Sequence, residues 1–246
     1  MSENNNDQNS NQVGETRRQL AEFWFYFSEN KTAVIGLAFM VGVLFMALFA
    51  DVISPHDPSE QYREFFEAPP AWVEGGSSRF LLGTDYAGRD MLSRIIHGSR
   101  LSLMAGGIVI LICLTFGIII GLTAAYFRGI VETLIMRIMD TILSVPGLLM
   151  ALVLVAVLGP GLVNAMIAIS ITYLPYFVRL TRASAISEAS REYVVASRVA
   201  GAGRLRIMFI PILPNCMAPL IVQATLSFST AILDTAALGF LGMGAQ

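Results

Sequence analysis

The chain has 246 residues, of which 55% are hydrophobic and 14% are charged, and its mean hydropathy is +0.65. These values lie outside the range of soluble globular domains and indicate an integral membrane protein. The net charge is −2, and the arginines are divided among segments that flank apolar stretches, which excludes a nucleic-acid-binding role.

The first predicted segment, residues 1–31, is a polar tail followed by an aromatic stretch. Residues Met1–Gln12 are rich in Asn, Gln and Ser and carry only acidic charges, so they lack the basic start of a signal peptide. We expect them to form a disordered cytoplasmic tail. Glu22–Ser28 contains three phenylalanines, a tryptophan and a tyrosine, and such rings favour the headgroup layer of a membrane.

Four stretches without charged residues are long enough to cross a membrane, which takes about 20 apolar residues. They are Thr32–Ala50, Leu101–Phe127, Thr141–Val178 and Ile207–Leu233. The third is long enough for two spans divided at Gly159-Pro160-Gly161, so we predict an all-α bundle of five transmembrane helices. The predicted boundaries are a first span at 32–53, an outer loop at 54–99 and a core domain at 100–246.

The distribution of arginine and lysine predicts the orientation of the chain. Arg17, Arg18 and Lys31 precede the first span, and six arginines against two glutamates separate the fourth span from the fifth. Both places are therefore predicted to be cytoplasmic. The connection 52–99 carries four arginines and seven acids and fits the outer side. We thus predict a multi-pass membrane protein with a cytoplasmic N-terminus.

The connection between the first two spans combines turns with one helical pattern. Prolines and glycines recur from Ser54 to Gly76 and favour turns over helices or strands. Further on, apolar residues recur at helical spacing at positions 91, 92, 95 and 96, whereas Asp90, Arg94 and His97 fall on another face. We therefore predict an amphipathic helix that lies on the outer membrane surface and continues into the second span.

Small and charged residues mark the second and third spans. Gly117 and Gly121 give the small-residue spacing that lets another helix approach closely. Near the start of the third span, Asp140 is expected to be stabilised by the helix dipole and by Arg137. We interpret it as a structural anchor, with a gating role as the alternative. Pro146-Gly147 predicts a kink within the same span.

Four polar residues of the fifth span fall on one helical face, at intervals of four, three and four. They are Gln223, Ser227, Thr230 and Asp234. Polar groups within a membrane must meet one another or water, so this face is predicted to point into the bundle. Hydrogen bonding between helices and the lining of a translocation pathway both satisfy this requirement. The fourth span offers further polar groups in no single stripe, at Asn164, Ser170, Thr172 and Tyr173.

A charged segment separates the fourth and fifth spans. Its arginines and glutamates are expected to hold a short helix outside the bilayer, near 187–205, that ends at Gly201-Ala202-Gly203. Its apolar side is predicted to comprise Ala189, Tyr193, Ala196 and Val199 or Ala200. Without further information this segment is either a lever that transmits force from a docked partner to both spans or an ordinary solvated loop.

The same segment resembles the cytoplasmic coupling loop of bacterial ABC-transporter permeases, with Ala196, Gly201, Leu213 and Pro214 at matching positions. Arg191-Glu192-Tyr193-Val194 and Ala196-Ser197-Arg198 are similar to the peptide-permease form. The rest of the chain resembles the dipeptide, oligopeptide and nickel permease group, and most of all its C-type dipeptide permease subunits. The residues that carry this resemblance are Gly83-Thr84-Asp85, Gly88-Arg89-Asp90, Leu92-Ser93-Arg94, Gly98-Ser99-Arg100 and the run from Ala236 to Gly244. Val195 and Pro211 depart from the wider pattern.

The resemblance implies a type I ABC importer permease fold, with a sixth span beyond Gln246. It also implies a heterodimer with a second permease subunit, two ATPase subunits and an extracytoplasmic substrate-binding protein. The implied cargo is a dipeptide or short peptide, with nickel chelates, glutathione or haem as alternatives. ATPase coupling is assigned to the loop 187–214, at Arg191, Glu192, Tyr193, Ala196, Ser197, Arg198, Gly201, Leu213 and Pro214.

The chain itself is predicted to be non-catalytic. It has no Gly-x-x-x-x-Gly-Lys-[Ser/Thr] loop and its single lysine is Lys31, so ATP and Mg²⁺ are expected on the partner ATPase subunits. We predict no cofactor, metal site or disulfide in this chain, because both cysteines fall inside predicted spans and neither histidine has a Cys or carboxylate partner at ligand spacing. The competing interpretation is an independent ion-coupled carrier that uses Asp140 or Asp234.

Overall fold

The structure is a computed structural model that describes Arg18, Glu22 and residues 24–244. The predicted tail Met1–Gln12 lies outside these residues. Residues 24–29 are helical. The helices that follow are α1 Lys31–Leu48, α2 Ala50–Ile53, α3 Met91–Phe127, α4 Gly129–Leu143, α5 Gly147–Leu158, α6 Leu162–Ala189, α7 Glu192–Val199, α8 Arg204–Ile207 and α9 Leu213–Phe240. A π-helical turn, Met208–Ile212, joins α8 to α9. Over the described residues the only β pairing is an isolated bridge between Thr84 and Asp90, so the all-α prediction is confirmed.

Four helical stretches are long and apolar enough to cross a membrane, namely Lys31–Leu48, Met91–Phe127, Leu162–Ala189 and Arg204–Phe240. A fifth span exists only if α4 and α5 are counted as one, and these two helices are bent by 93° at their junction. The predicted third span is therefore a broken helix rather than a kinked one. Proline disfavours helical backbone in the residue before it, so Pro146 separates α4 from α5. The 12 residues of α5 reach only about 18 Å, short of a full crossing.

The chain divides into two compact units, Met1–Arg100 and Leu101–Gln246, and the boundary falls within α3. In the first unit, the connection after α2 folds around Phe80, which is fully buried. The rings of His56, Tyr62 and Phe65 lie 5.0–5.3 Å from it, centroid to centroid. The predicted turns of this connection are confirmed, and an aromatic cluster holds them together.

The predicted helix is present as the first part of the continuous helix α3, which runs on into the second span as expected. Its sides are not divided into apolar and polar as predicted, because Asp90 and Ser93 are buried together with Ile96, while Ile95 is half exposed. The reason is helix capping: Asp90 Oδ2 accepts a hydrogen bond from the backbone N–H of Ser93 at 3.1 Å, and it lies 3.3 Å from His56 Nδ1.

In the second unit, α3 packs closely against α6 where the sequence predicts a small-residue contact. A Cβ atom on Gly117 would lie 2.5 Å from Phe177 Cβ, and one on Gly121 would lie 2.7 Å from the carbonyl oxygen of Val178. The prediction for these two glycines is confirmed. Both cysteines are free and buried, and Cys113 Sγ donates a hydrogen bond to the carbonyl oxygen of Ser170 at 3.3 Å.

Two ion pairs connect α4 to α6. Arg182 Nε donates to Glu132 Oε1 at 2.7 Å, and Arg179 pairs with Asp140. The predicted partner of Asp140, Arg137, was therefore wrong, and so was the helix-dipole argument. Asp140 lies in the last turn of α4, where the dipole disfavours a carboxylate, so the positive charge of Arg179 compensates for it.

Candidate functional site

The segment between the fourth and fifth spans contains one short helix, α7, which is shorter than the predicted range of 187–205. The residues around Ser187 still belong to α6, which ends at Ala189. Arg191 has extended backbone and precedes the first turn of α7, and the helix ends at Val199. The chain therefore turns sharply at residues 190–191, and this turn sets the direction of α7 relative to α6.

α7 stops just before Gly201, and this confirms the helix end predicted from the sequence. Gly201 adopts a φ of +79°, which a residue with a Cβ atom rarely does. Its N–H donates to the carbonyl of Arg198 at 3.0 Å, and the N–H of Ala202 donates to the carbonyl of Ser197 at 3.1 Å. This pair of bonds is a Schellman motif, which satisfies the last carbonyls of the helix.

The side of α7 that faces the core was not predicted from the sequence. Val194 is fully buried in the apolar core of the second unit, which also contains Ile207 and Met208. The predicted apolar side faces outward instead, because Val199 is 84% exposed and Tyr193 and Ala196 are exposed as well. Rotation of α7 about its own axis decides whether Val194 or Val195 faces the core. The sequence alone therefore does not distinguish which of these adjacent valines anchors the helix.

The outward side of α7 is a small apolar surface, which we call the loop face. It comprises Val195, Ala196, Val199 and Ala200. With Ser190 and Glu192 these residues line an open depression of about 550 Å³. Exposed apolar residues that lie together beside charged groups mark sites of protein contact.

Several of the predicted coupling residues stabilise the loop itself. The Tyr193 hydroxyl donates to the Glu188 carboxylate, and this bond raises the pKa of Tyr193 to about 12. Ser197 Oγ donates to the carbonyl of Tyr193 at 2.8 Å, and Arg191 Nε lies 3.8 Å from Glu188 Oε1. The two contacts with Glu188 tie α7 to the end of α6, and the Ser197 bond lies within α7. Glu192 and Arg198 are exposed.

The remaining two predicted residues begin α9. Leu213 is half-buried and Pro214 is exposed in its first turn. They follow the π-helical turn, which contains Pro211. Proline lacks an N–H and its ring clashes with an earlier carbonyl in an α-helix, and the wider π turn accommodates both properties.

The loop also borders a cavity that the sequence did not indicate. This cavity, of about 500 Å³, lies between the end of α3 and the loop arginines Arg198 and Arg204. The guanidinium of Arg204 lies 5.9 Å from the centre of the Tyr126 ring, within cation–π range. The loop is thus in contact with α3 as well as α6 and α9.

The predicted polar face of α9 divides into two sets of contacts. Gln223 Nε2 donates to Ser227 Oγ at 2.9 Å, and Thr230 Oγ1 donates to the carbonyl of Ser227 at 3.1 Å. Asp234 Oδ2 accepts from the hydroxyl of Tyr173 on α6 at 2.9 Å. The first set lies within one helix, whereas Asp234 makes a bond between helices.

Asp234 also borders an open cavity of about 340 Å³. Tyr173, Tyr176 and Thr172 of α6 line one side of it, and the junction of α4 and α5 around Pro146 lines the other. The sequence singled out Tyr173 and Thr172 but not Tyr176, and the junction was not recognised as a wall. Only the 93° bend brings these residues together.

This arrangement of apolar spans, a broken third span and an anchored loop helix is that of a transport permease. The family model described as "Binding-protein-dependent transport system inner membrane component" matches residues 117–246. The model described as "N-terminal TM domain of oligopeptide transport permease C" matches residues 18–70. The chain belongs to the family of binding-protein-dependent inner membrane transport components, the permeases of type I ABC importers.

Curated relatives place it within this family. The "Di/tripeptide transport system permease protein DppC" of Pseudomonas aeruginosa is 60% identical over 92% of this chain and 75% of its own length. The "Dipeptide transport system permease protein DppC" of Escherichia coli K12 is 59% identical over 92% of this chain and 76% of its own length. A protein of the same name from Alkalihalophilus pseudofirmus is 44% identical over 89% of this chain and 70% of its own length.

Proposed function

We propose that this chain is a permease subunit that carries dipeptides or short peptides inward across the inner membrane. The observation that carries the proposal is the 60% identity, over 92% of the chain, to a protein named as a di/tripeptide permease. The relatives described above are named for di- or tripeptides, which favours a peptide over a nickel chelate, glutathione or haem. The ion-coupled alternative gains no support from Asp140, because Arg179 neutralises it.

The proposal includes partners that supply energy and substrate. A second permease subunit completes the pathway, two ATPase subunits bind ATP and Mg²⁺, and an extracytoplasmic binding protein delivers the peptide. In this arrangement the N-terminus and the loop 187–214 are cytoplasmic. The chain itself is a non-catalytic subunit.

The structure supports a mechanical role for α7. The loop face is available to a partner, whereas Val194 and the Tyr193–Glu188 bond hold the opposite side to the second unit. A displacement of α7 is therefore transmitted to α6 and α9 as a rigid-body movement. These two helices carry Tyr173 and Asp234, so movement of the loop changes the cavity between them.

A cysteine on the loop face tests whether an ATPase subunit docks there. In a cysteine-free background, Val199→Cys is expected to crosslink to an ATPase subunit within the assembled complex. Val157→Cys is the matched control, because Val157 is 81% exposed but lies near the far end of α5. A Val199→Cys complex that transports peptide but yields no crosslink contradicts the docking proposal.

Two nearby glycines test the coupling step. Gly201→Val places a β-branched residue at a φ of +79°, which costs about 1–3 kcal/mol and distorts the end of α7. We expect the complex to assemble and hydrolyse ATP while peptide uptake falls at least tenfold. Gly203→Val is the control, because Gly203 has a φ of −66° and open space around it. Equal uptake by the two variants would show that the end of α7 has no part in coupling.

A further inference from the structure

Asp234 differs from the other carboxylates of the spanning helices in the second unit. Glu132 pairs with Arg182 and Asp140 with Arg179, both across helices. Among the described residues no arginine or lysine lies within ion-pair distance of Asp234. A carboxylate within a spanning helix is costly unless it meets a cation or water, so the presence of Asp234 indicates a function.

The surroundings of Asp234 suit an organic cation. One oxygen accepts the Tyr173 hydroxyl at 2.9 Å, and the carboxylate borders the open cavity of about 340 Å³. The rings of Tyr173 and Tyr176 lie 6.1 Å apart, centroid to centroid, and both line this cavity. A carboxylate beside aromatic rings binds an ammonium group by charge and by cation–π attraction. The volume is within the range of small-molecule sites.

The cavity lies within the length of the helices that form it. The turn Gly159–Gly161 joins α5 to α6, and Pro146 lies about 18 Å from this turn along α5 while Tyr173 lies about 17 Å from it along α6. Asp234 lies six residues, or about 9 Å, before the end of α9 at Phe240. The carboxylate is therefore within a spanning helix and not at its end.

We infer that Asp234 and Tyr173 form a transit site for the α-ammonium group of the peptide. This inference rests on the proposed function, because a dipeptide with a free N-terminus carries such a group. The site lies on α6 and α9, the two helices that the loop joins, so movement of α7 is able to open or close it. Asp234 then offsets part of the cost of bringing a charged peptide into the membrane.

The first test measures charge selectivity without relying on transport. In a Cys113→Ala/Cys216→Ala background of the assembled complex, Leu148→Cys places a thiol on the cavity wall. A methanethiosulfonate reagent with an ammonium group should modify it faster than one with a sulfonate group. Asp234→Asn should lower this ratio of rates about tenfold, and Asp234→Glu should keep it. A ratio that does not depend on residue 234 overturns the inference.

A control position separates the local effect from a general one. Trp72→Cys lies in the connection after α2, and Trp72 is 71% exposed. The ratio of rates at Trp72→Cys should be the same whether residue 234 is Asp or Asn. A ratio that falls equally at both reporters would show a general change in the complex and overturn the assignment of a local site.

The second test identifies the ligand during turnover. In liposomes containing the complete complex with its binding protein, dipeptide and ATP should slow the modification of Leu148→Cys. This protection should be lost in Asp234→Asn and reduced in Tyr173→Phe. Dipeptide uptake with no such protection overturns the transit site and leaves the proposed function intact. A wild-type complex that imports no dipeptide overturns the proposed function, and the peptide ligand with it.

Discussion

Asp85 organises the turn of the first unit that carries the Gly83-Thr84-Asp85 motif. Its Oδ1 accepts backbone N–H bonds from Ala87 at 2.8 Å and Arg89 at 2.9 Å, and its Oδ2 accepts from Arg89 Nε at 2.9 Å. Burial raises the pKa of this carboxyl group, but the hydrogen bonds from Arg89 and Ala87 outweigh burial and leave the pKa below its usual value. The motif is thus a structural turn.

This lowered pKa predicts a pH-dependent stability. A carboxyl group whose pKa is lower in the folded state stabilises that state above its unfolded pKa of about 3.9, and the stabilisation is lost as the pH falls through the folded pKa. Asp85→Asn should therefore lower the free energy of unfolding by about 1–3 kcal/mol at neutral pH, with a smaller difference below about pH 4. Thermal unfolding in detergent at both pH values measures it. Asp57→Asn, at an exposed position, should change little.

The packing of α3 on α6 shows how a helix contact depends on single glycines. Gly121 faces α6, where an added Cβ would lie 2.6 Å from Thr181 Cβ. Gly107, on the same helix, has no atom within 4 Å of such a Cβ. The sequence predicts the close contact at Gly117 and Gly121 from their spacing, but it does not identify the helix that approaches them.

These two glycines give a prediction at the level of the element. Gly121→Ala should lower the stability of the protein by about 1–3 kcal/mol, because the backbone of α6 must move. Gly107→Ala should be neutral or stabilising by up to about 1 kcal/mol, because alanine favours the helix. The unfolding temperature of the purified subunit in detergent distinguishes them. Equal losses of stability would show that α3 does not pack on α6 through Gly121.

Across the second unit, the ion pairs between α4 and α6 fix the broken third span. Glu132 and Arg182 are mostly buried, whereas Asp140 and Arg179 are each about half exposed. A pair that is half exposed contributes little, so the Glu132–Arg182 pair is the stronger of the two constraints. By holding α4 in place, it also positions the junction at Pro146 that lines the Asp234 cavity.

A charge exchange tests this constraint. Glu132→Arg alone should destabilise the complex and reduce peptide uptake, because it faces Arg182 with a like charge. Adding Arg182→Glu should restore both properties in large part. The corresponding single and double variants at Asp140 and Arg179 should each change stability and peptide uptake less than those at Glu132 and Arg182. If the double variant at 132 and 182 is as impaired as the single one, the charges do not act as a pair.

The sequence by itself determined the features that depend on local chemistry. Apolar length located four of the five predicted spans, Gly159–Gly161 divided the third from the fourth, and Gly201 ended α7 at the predicted place. Motifs along the chain also indicated the permease family, and the comparisons confirmed it. These signals arise from residues close together in the chain, so no knowledge of the fold is needed to use them.

Only the tertiary structure decided which side chains meet. It turned Val194 inward, paired Asp140 with Arg179, and buried Asp90 as a helix cap. Each of these depends on a partner or a helix rotation that neighbouring residues do not specify. The cavity at Asp234 depends on the 93° bend between α4 and α5, whereas the sequence indicated only a kink. The bend brings distant residues together, so the site exists only in the folded chain.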